Sequence, residues 1–235
     1  MDEMYPNRMI CPELNLLPPN SDETLYQTTL DYFHSIPWTS KLLSTPATGE
    51  EDVGGSSSGS SSGSIPGRKP IAFTPTCKNP LSPDHDQLYS QTLNVPGGLE
   101  HVLSFFHPKP GDADDPSVAV ERVHTLFSIG PGLSGLPSII HGGMTMTLCD
   151  EALAAVTFLN FALGKDGESF RTPSVTAGLD IRFLRPIKVG QVVMATAWME
   201  TRERRKTRLQ CVVTDEEGRE CARSFSTWIA PKASL

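Results

Sequence analysis

The sequence predicts an α+β layer fold in which one long helix lies against an antiparallel sheet, and three observations carry that prediction. An apolar helix rich in small residues runs from about Gly142 to Leu163, with Met144, Leu148, Ala152, Ala155 and Leu159 on one stripe. After it the period switches to two: in SVTAGLDIRFLRP, residues Val175, Ala177, Leu179, Ile181 and Phe183 alternate with Thr176, Gly178, Asp180, Arg182 and Leu184. Three further strand-like runs follow (QVVMATAWME, TRLQCVVTD and ECARSFSTWIA), the last two joined by the hairpin signal Asp215–Gly218. One helix followed by successive strands on short turns is not an alternating βαβ order, so the sheet is expected to be antiparallel.

The remaining elements are read in chain order. Residues 1–48 form an N-terminal helical extension: Asn20 to Pro37 reads as a helix capped by Asn20 with Glu23 at the third position, and Leu25, Leu30 and Phe33 share a face. Residues 49–69 hold GEEDVGGSSSGSSSGS, which has too few apolar side chains to offset the entropy of ordering and reads as a flexible linker. Residues 70–117 precede the main domain, with a short helix from Pro96 to Phe106 suggested by Leu99, Val102, Leu103 and Phe106. The domain itself occupies 118–235. It opens with a Val- and Thr-rich strand over Ser117 to Ile129 that ends in the loop GPGLSGLPS.

Composition narrows the function classes. The net charge of −7 is uneven: residues 1–115 hold 15 acids and 6 bases, whereas 116–235 hold 12 acids and 14 bases. An acidic chain has no overall field for nucleic acid, but its slightly basic half suits a compact anionic ligand. The five cysteines share no CxxC spacing, which fits a reducing compartment better than a disulfide framework or a zinc site. The histidines show no metal-ligand spacing, and no metal or other cofactor is expected. No apolar run approaches the roughly 20 residues that span a bilayer, and no secretory or mitochondrial leader is visible, so a cytoplasmic protein without membrane contact is expected.

The stretch SGLPSIIHGGMTMTLCDEALAA is unusual for a helix, because glycines weaken its start and a carboxylate sits in its apolar middle. Both features make chemical sense. The first N–H groups of a helix are unpaired and lie at its positive end, and Gly142 and Gly143 carry no side chain to hold a substrate away. Asp150, on an apolar face, is placed to act as a base. Within one helix, however, Asp150 lies roughly 12 Å along the axis from Gly142, too far to attack a carbonyl held there. If both serve one reaction they come from two subunits, with antiparallel helices giving two sites per two-fold dimer. Cys149 reads as core packing.

IIHGGMTMTLCDEA and TAGLDIRFLRPIKVGQ, in this element order, resemble the hotdog-fold thioesterases of the PaaI type. GPGLSGLPSIIHGG and IPWTSKLL further resemble fungal members of that superfamily. The resemblance covers about residues 118–231 and implies a curved sheet round a central helix. It also implies an acyl-thioesterase acting on acyl-CoA or a carrier-bound acyl thioester, as a homodimer or dimer of dimers. Residue by residue it implies that Asp150 is general base or nucleophile and that Thr176 orients the water. It implies that Gly142 polarises the thioester carbonyl, with His141 lining that end. Some relatives carry asparagine six residues before the histidine, where this chain has Gly135. Thr176, out of phase with its strand's apolar residues, is expected on the other face of the sheet. Gly143 is a second amide near the substrate. For the phosphates of coenzyme A, Arg204, Arg205 and Lys206 of the basic run TRERRKTR compete with Arg185 and Lys188. Two other readings stay open: a lyase, cyclase or isomerase using the same carboxylate, and a binding module with a vestigial site.

Overall fold

A computed structural model describes residues 7–46 and 68–232. Most of the expected linker, residues 49–67, lies outside the described residues. Helix α3 (Gly142–Ala162) matches the predicted central helix. It packs on one face of a seven-stranded antiparallel sheet of order β1-β2-β3-β7-β8-β9-β6. The strands are β1 (Ile71–Phe73), β2 (Val102–Phe106), β3 (Arg122–Ile129), β6 (Val175–Phe183), β7 (Gln191–Glu203), β8 (Lys206–Thr214) and β9 (Glu220–Ile229). A small hairpin of β4 (Ser134–Leu136) and β5 (Ile139–Ile140) leads into the helix.

The helix is held by a core that uses its small residues. Leu148, Ala152, Leu153, Val156 and Leu159 are fully enclosed against Val123, Phe127, Val193, Ala195 and Ala197 of the sheet. Alanines at 152 and 155 let the helix axis approach the strands closely. At the far end, Asn160 holds the helix in register: its Oδ1 accepts from Val120 N–H and its Nδ2 donates to Val120 O, both at 2.8 Å. Cys149 points into this core, beside Cys211 and Ser224. All five cysteines are buried and unbridged.

The opposite face of the sheet is covered by the N-terminal extension. Helices α1 (Glu23–His34) and α2 (Pro37–Ser44) lay Phe33 and Leu43 on Ala72, Leu103, Phe105, Leu126 and Val192. The expected Asn20 cap is corrected here. Asn20 is in a left-handed turn (φ 58°), and Asp22 caps the helix by accepting from the Thr24 N–H at 2.9 Å. Asp22 wins because its extended backbone places the carboxylate over the first free N–H groups.

A second correction concerns Pro96 to Phe106, where no helix forms. Residues 102–106 are strand β2, every one of them buried, because the strand is covered by α3 on one side and by α1 on the other. A strand buried on both faces reads as a continuous apolar run, and a short run is ambiguous with a helix. Its register is fixed internally by a buried hydroxyl pair, Ser104 with Thr125 at 2.9 Å. Strands β1 and β2 thus come from the segment expected to precede the domain, yet they belong to its sheet. Five strands were expected, and β1 and β2 make seven.

The two sheet edges differ. At β1 the edge is short and shielded by the bridge between Ile10 and Thr74. At β6 it is nine residues long and almost entirely exposed. An open edge of that length is a template for pairing with another chain.

Candidate functional site

Thr176 and Asp150 meet through a local irregularity. Thr176 pairs with Trp228, whereas the next pair is Gly178 with Thr227, so Ala177 is one residue too many for the ladder. This β-bulge shifts the phase of the strand. Thr176, Leu179 and Ile181 therefore all face α3, and the expectation that Thr176 lies on the sheet's other face is corrected. Its Oγ1 donates to Asp150 Oδ1 at 2.7 Å, the length of a charge-assisted bond. Asp150 is partly exposed, and its Oδ2 has no partner among the described residues, so it remains able to accept from a water molecule.

The start of α3 is built by the β4–β5 hairpin. His141 is the N-cap: its N–H donates to Leu133 O at 2.9 Å, and its Nδ1 accepts from Gly143 N–H at 3.0 Å. That bond puts the ring proton on Nε2. It also occupies the Gly143 amide, leaving Gly142 as the exposed helix-start N–H with no partner among the described residues. A Cβ on Gly143 would lie 3.0 Å from His141 Nδ1, so the cap itself explains that glycine. Gly142 is different. A Cβ there would make only ordinary contact with the Phe183 ring, at 3.6 Å, so nothing within the chain requires a glycine at 142. Gly135, where some relatives have asparagine, is pressed against the cap: a Cβ would lie 2.8 Å from His141 Cα and 2.9 Å from Cδ2. No longer side chain fits there while His141 keeps this position.

Of the basic candidates, two are committed within the chain. Arg185 donates to Glu220 O at 2.6 Å and Arg205 to Ala230 O at 2.9 Å. Lys188, Arg204 and Lys206 are exposed, and their side chains have no hydrogen-bond partner among the described residues. Arg204 occupies the left-handed turn (φ 51°) of the β7–β8 hairpin. The structure brings Asp150 to Thr176 and His141 to Gly142. It does not bring these two pairs together within one chain, since about two turns of helix separate them.

Sequence reasoning missed Glu151. Burial pushes its carboxyl up to about 7, with the nearby Cys77 thiol opposing the shift and the charges of Asp86 and Asp150 adding to it. Only its position beside Asp150 could have pointed to it. It also missed Tyr89, whose hydroxyl donates to Thr147 O on α3 at 2.9 Å. No group of side chains among the described residues is arranged to hold a metal ion. No described helix is long and apolar enough to cross a membrane.

Comparison with known proteins finds a family match over this region. Residues 138–222, from β5 through α3 to β9, match the family described as the thioesterase superfamily. The chain is 34% identical over 128 residues to acyl-coenzyme A thioesterase THEM4 of Bos taurus, which covers 54% of this chain and 46% of that protein. Verlamelin biosynthesis protein B of Lecanicillium sp is 24% identical over 166 residues, 61% of this chain and 71% of that protein. Among solved structures, zebrafish thioesterase superfamily member 2 covers 64% of this chain and 89% of its own, with TM-score 0.44 and 19% identity. The Escherichia coli PaaI protein covers 48% and 79%, with TM-score 0.41 and 18% identity. The family match falls on the helix, the bulged strand and the sheet just described, so residues 138–222 are similar to the thioesterase superfamily and carry its hotdog arrangement of a long helix against an antiparallel sheet.

Proposed function

We propose that the protein is an acyl-thioesterase that hydrolyses acyl-CoA or carrier-bound acyl thioesters with water as the nucleophile. The observation that carries this reading is the hydrogen bond from Thr176 to Asp150, which fixes one carboxylate oxygen and leaves the other able to accept a proton. Water lies against Asp150 Oδ2 and gives up its proton as it attacks the thioester carbonyl carbon. The carbonyl oxygen gains negative charge and is met by the Gly142 N–H at the positive end of α3, a donor typically worth about 3–4 kcal/mol in a transition state. Collapse of the tetrahedral intermediate breaks the C–S bond, and the products are the carboxylic acid and the thiol.

In this reading Gly142 comes from a second copy of the chain. The β6 edge supports that, as do the large apolar residues left open around the helix start: Leu136, Met146 and Phe183 are 66, 39 and 58% exposed. Pairing two β6 edges sets the α3 helices side by side and antiparallel, so each Asp150 approaches the other Gly142. The assembly is then a homodimer, or a dimer of dimers. Exposed Lys188, Arg204 and Lys206 are the cations left to meet the phosphates of coenzyme A or of a carrier's prosthetic arm. The buried free thiols suit a reducing cytoplasm.

The test is thiol release from a panel of acyl-CoA and acyl-carrier thioesters by wild-type protein and Asp150→Asn. The reading requires turnover by the wild type that drops at least a hundredfold in the variant, within the range of about 10²–10⁴ for a positioned proton acceptor. A wild type inert on the whole panel, or an Asn variant as fast as the wild type, would end it.

A further inference from the structure

A second concave site lies on the sheet face away from α3. Helix α2 sits on that face through its buried side, Thr39 and Leu43. Trp38, Lys41 and Leu42, at helical spacing on the next side, are not buried. Trp38 and Leu42 reach the back-face cluster only at its margin, as does Met194 of β7. Between α2, Met194 and the β8–β9 hairpin the chain leaves a cavity of about 340 Å³. Small-ligand sites run from about 300 to 1,000 Å³, are mostly apolar with a few placed polar groups, and favour junctions between substructures. The junction here is between the N-terminal extension and the domain. Folded chains pack with few voids larger than a water molecule, so three large apolar side chains lining a space of this size form an open apolar surface.

The charged groups around the cavity decide the kind of ligand. Lys41 is exposed where the cavity meets solvent, and its ammonium has no hydrogen-bond or ion-pair partner among the described residues. The acids of the hairpin do not offset it. Asp215, 7% exposed, accepts from the Glu217 and Arg219 backbone N–H groups at 3.2 and 2.9 Å and from Arg219 Nε at 2.8 Å, so its charge is already matched. Glu216 is exposed at the turn, where water and salt screen it. The His107 ring also lines the cavity and is held edge-on to Phe105.

We propose that this cavity is a second ligand site, for a small monocarboxylate with an apolar body. The body lies against Trp38, Leu42 and Met194, and the carboxylate meets Lys41 Nζ in a charge-assisted bond. Asp150 is on α3, across the sheet, so the site is separate from the proposed chemistry. An occupant touches both α2 and the sheet, ties the extension to the domain, and stabilises the folded chain by mass action. Binding changes no covalent bond. Under the proposed hydrolysis the released acid belongs to this class of ligand; the site itself does not rest on that reading.

Octanoate added to the full chain is the probe, with octanol as the control that has the same body and no charge. Octanoate should bind saturably by calorimetry, change the tryptophan fluorescence over the same range, and raise the melting temperature with concentration. Trp38→Phe should keep the binding heat and lose the fluorescence change, which separates Trp38 from Trp198 and Trp228. Lys41→Met keeps an apolar stem at an exposed position and should fold as the wild type does, while its octanoate affinity falls about tenfold. Octanol should bind the wild type about tenfold more weakly than octanoate does, and should bind Lys41→Met equally well. Asp150→Asn should bind octanoate as the wild type does. No saturable binding, a fluorescence change that survives Trp38→Phe, an octanoate affinity unchanged in Lys41→Met, or octanol as tight as octanoate overturns the proposal. Binding that is lost in Asp150→Asn and kept in Lys41→Met also overturns it, by placing the acid at the Asp150 site. A wild type that binds octanoate in this way but cleaves no thioester would sink the hydrolase reading and leave the second site standing.

Discussion

Thr176 reaches Asp150 at 2.7 Å because Ala177 is a bulged residue; without that extra residue the threonine would face away from the helix. The strand gives up one ladder pair to aim a single hydroxyl. Both residues are at least partly exposed, so the bond contributes little to folding and its consequence is positional. Thr176→Ala should lower kcat/KM about tenfold to hundredfold while the melting temperature stays within about 2 °C, as expected of a surface change. Thr176→Ser should retain most of the activity. Steady-state kinetics beside a thermal melt decides it, and an alanine variant at full rate would remove Thr176 from the mechanism.

That bulge also marks what the sequence shows and what it hides. The long helix, the four strands after it and the DEEG hairpin are legible because each keeps one hydrophobic period over many residues. Thr176 was legible as a residue type and not as a direction, since a bulge resets the phase without leaving a compositional mark. Val102 to Phe106 misled for another reason: covered on both faces, the strand has no polar alternation to distinguish it from a helix. The α1 start moved two residues because Asn20 and Asp22 are both good caps, and backbone geometry chose between them. Beyond its place beside Asp150, Glu151 left no signal, because the groups that shift it, Cys77 and Asp86, are distant in sequence.

Gly135 should tolerate no side chain. A Cβ there would lie 2.8 Å from His141 Cα, so Gly135→Ala must push the helix cap aside. Overpacking of this kind typically costs about 1–3 kcal/mol. We expect a melting temperature lower by several degrees and a loss of thioester turnover larger than the stability change explains, because the cap and the Gly142 amide move together. An alanine variant with wild-type melting and rate would show that the hairpin yields freely.

Stability should also respond to Glu151. Its folded-state carboxyl titrates at about 7 against an ordinary 4.5, so its protonated form stabilises the fold. That contribution is fully present below about pH 4.5 and is lost as pH rises through about 7. Wild-type protein should therefore lose up to about 3 kcal/mol between these limits, and Glu151→Gln should lose less. Melting curves across that range check the sign: a Gln variant whose stability falls with pH as steeply as the wild type's contradicts it.

The open β6 edge should be where two chains meet. Phe183 is 58% exposed beside Gly142, a position that suits a partner's surface better than water. If the proposed dimer pairs through this edge, Phe183→Asp should leave a folded monomer and abolish turnover with it. Light scattering at micromolar concentration reads the mass directly, and an unchanged dimer would place the interface elsewhere.

Pairing Asp150 of one chain with Gly142 of the other is the central claim, and complementation tests it most directly. Asp150→Asn removes the base. Gly142→Pro removes the N–H assigned to the carbonyl at a position where proline is accommodated: residue 142 is the first of the helix, and His141 before it is extended at φ −64°, ψ 135°. Each variant alone should be folded and inactive. In a heterodimer of the two, one site carries both lesions and the other carries neither, so purified heterodimers should recover about half of the wild-type activity. Heterodimers as inactive as their parents would contradict the cross-subunit site.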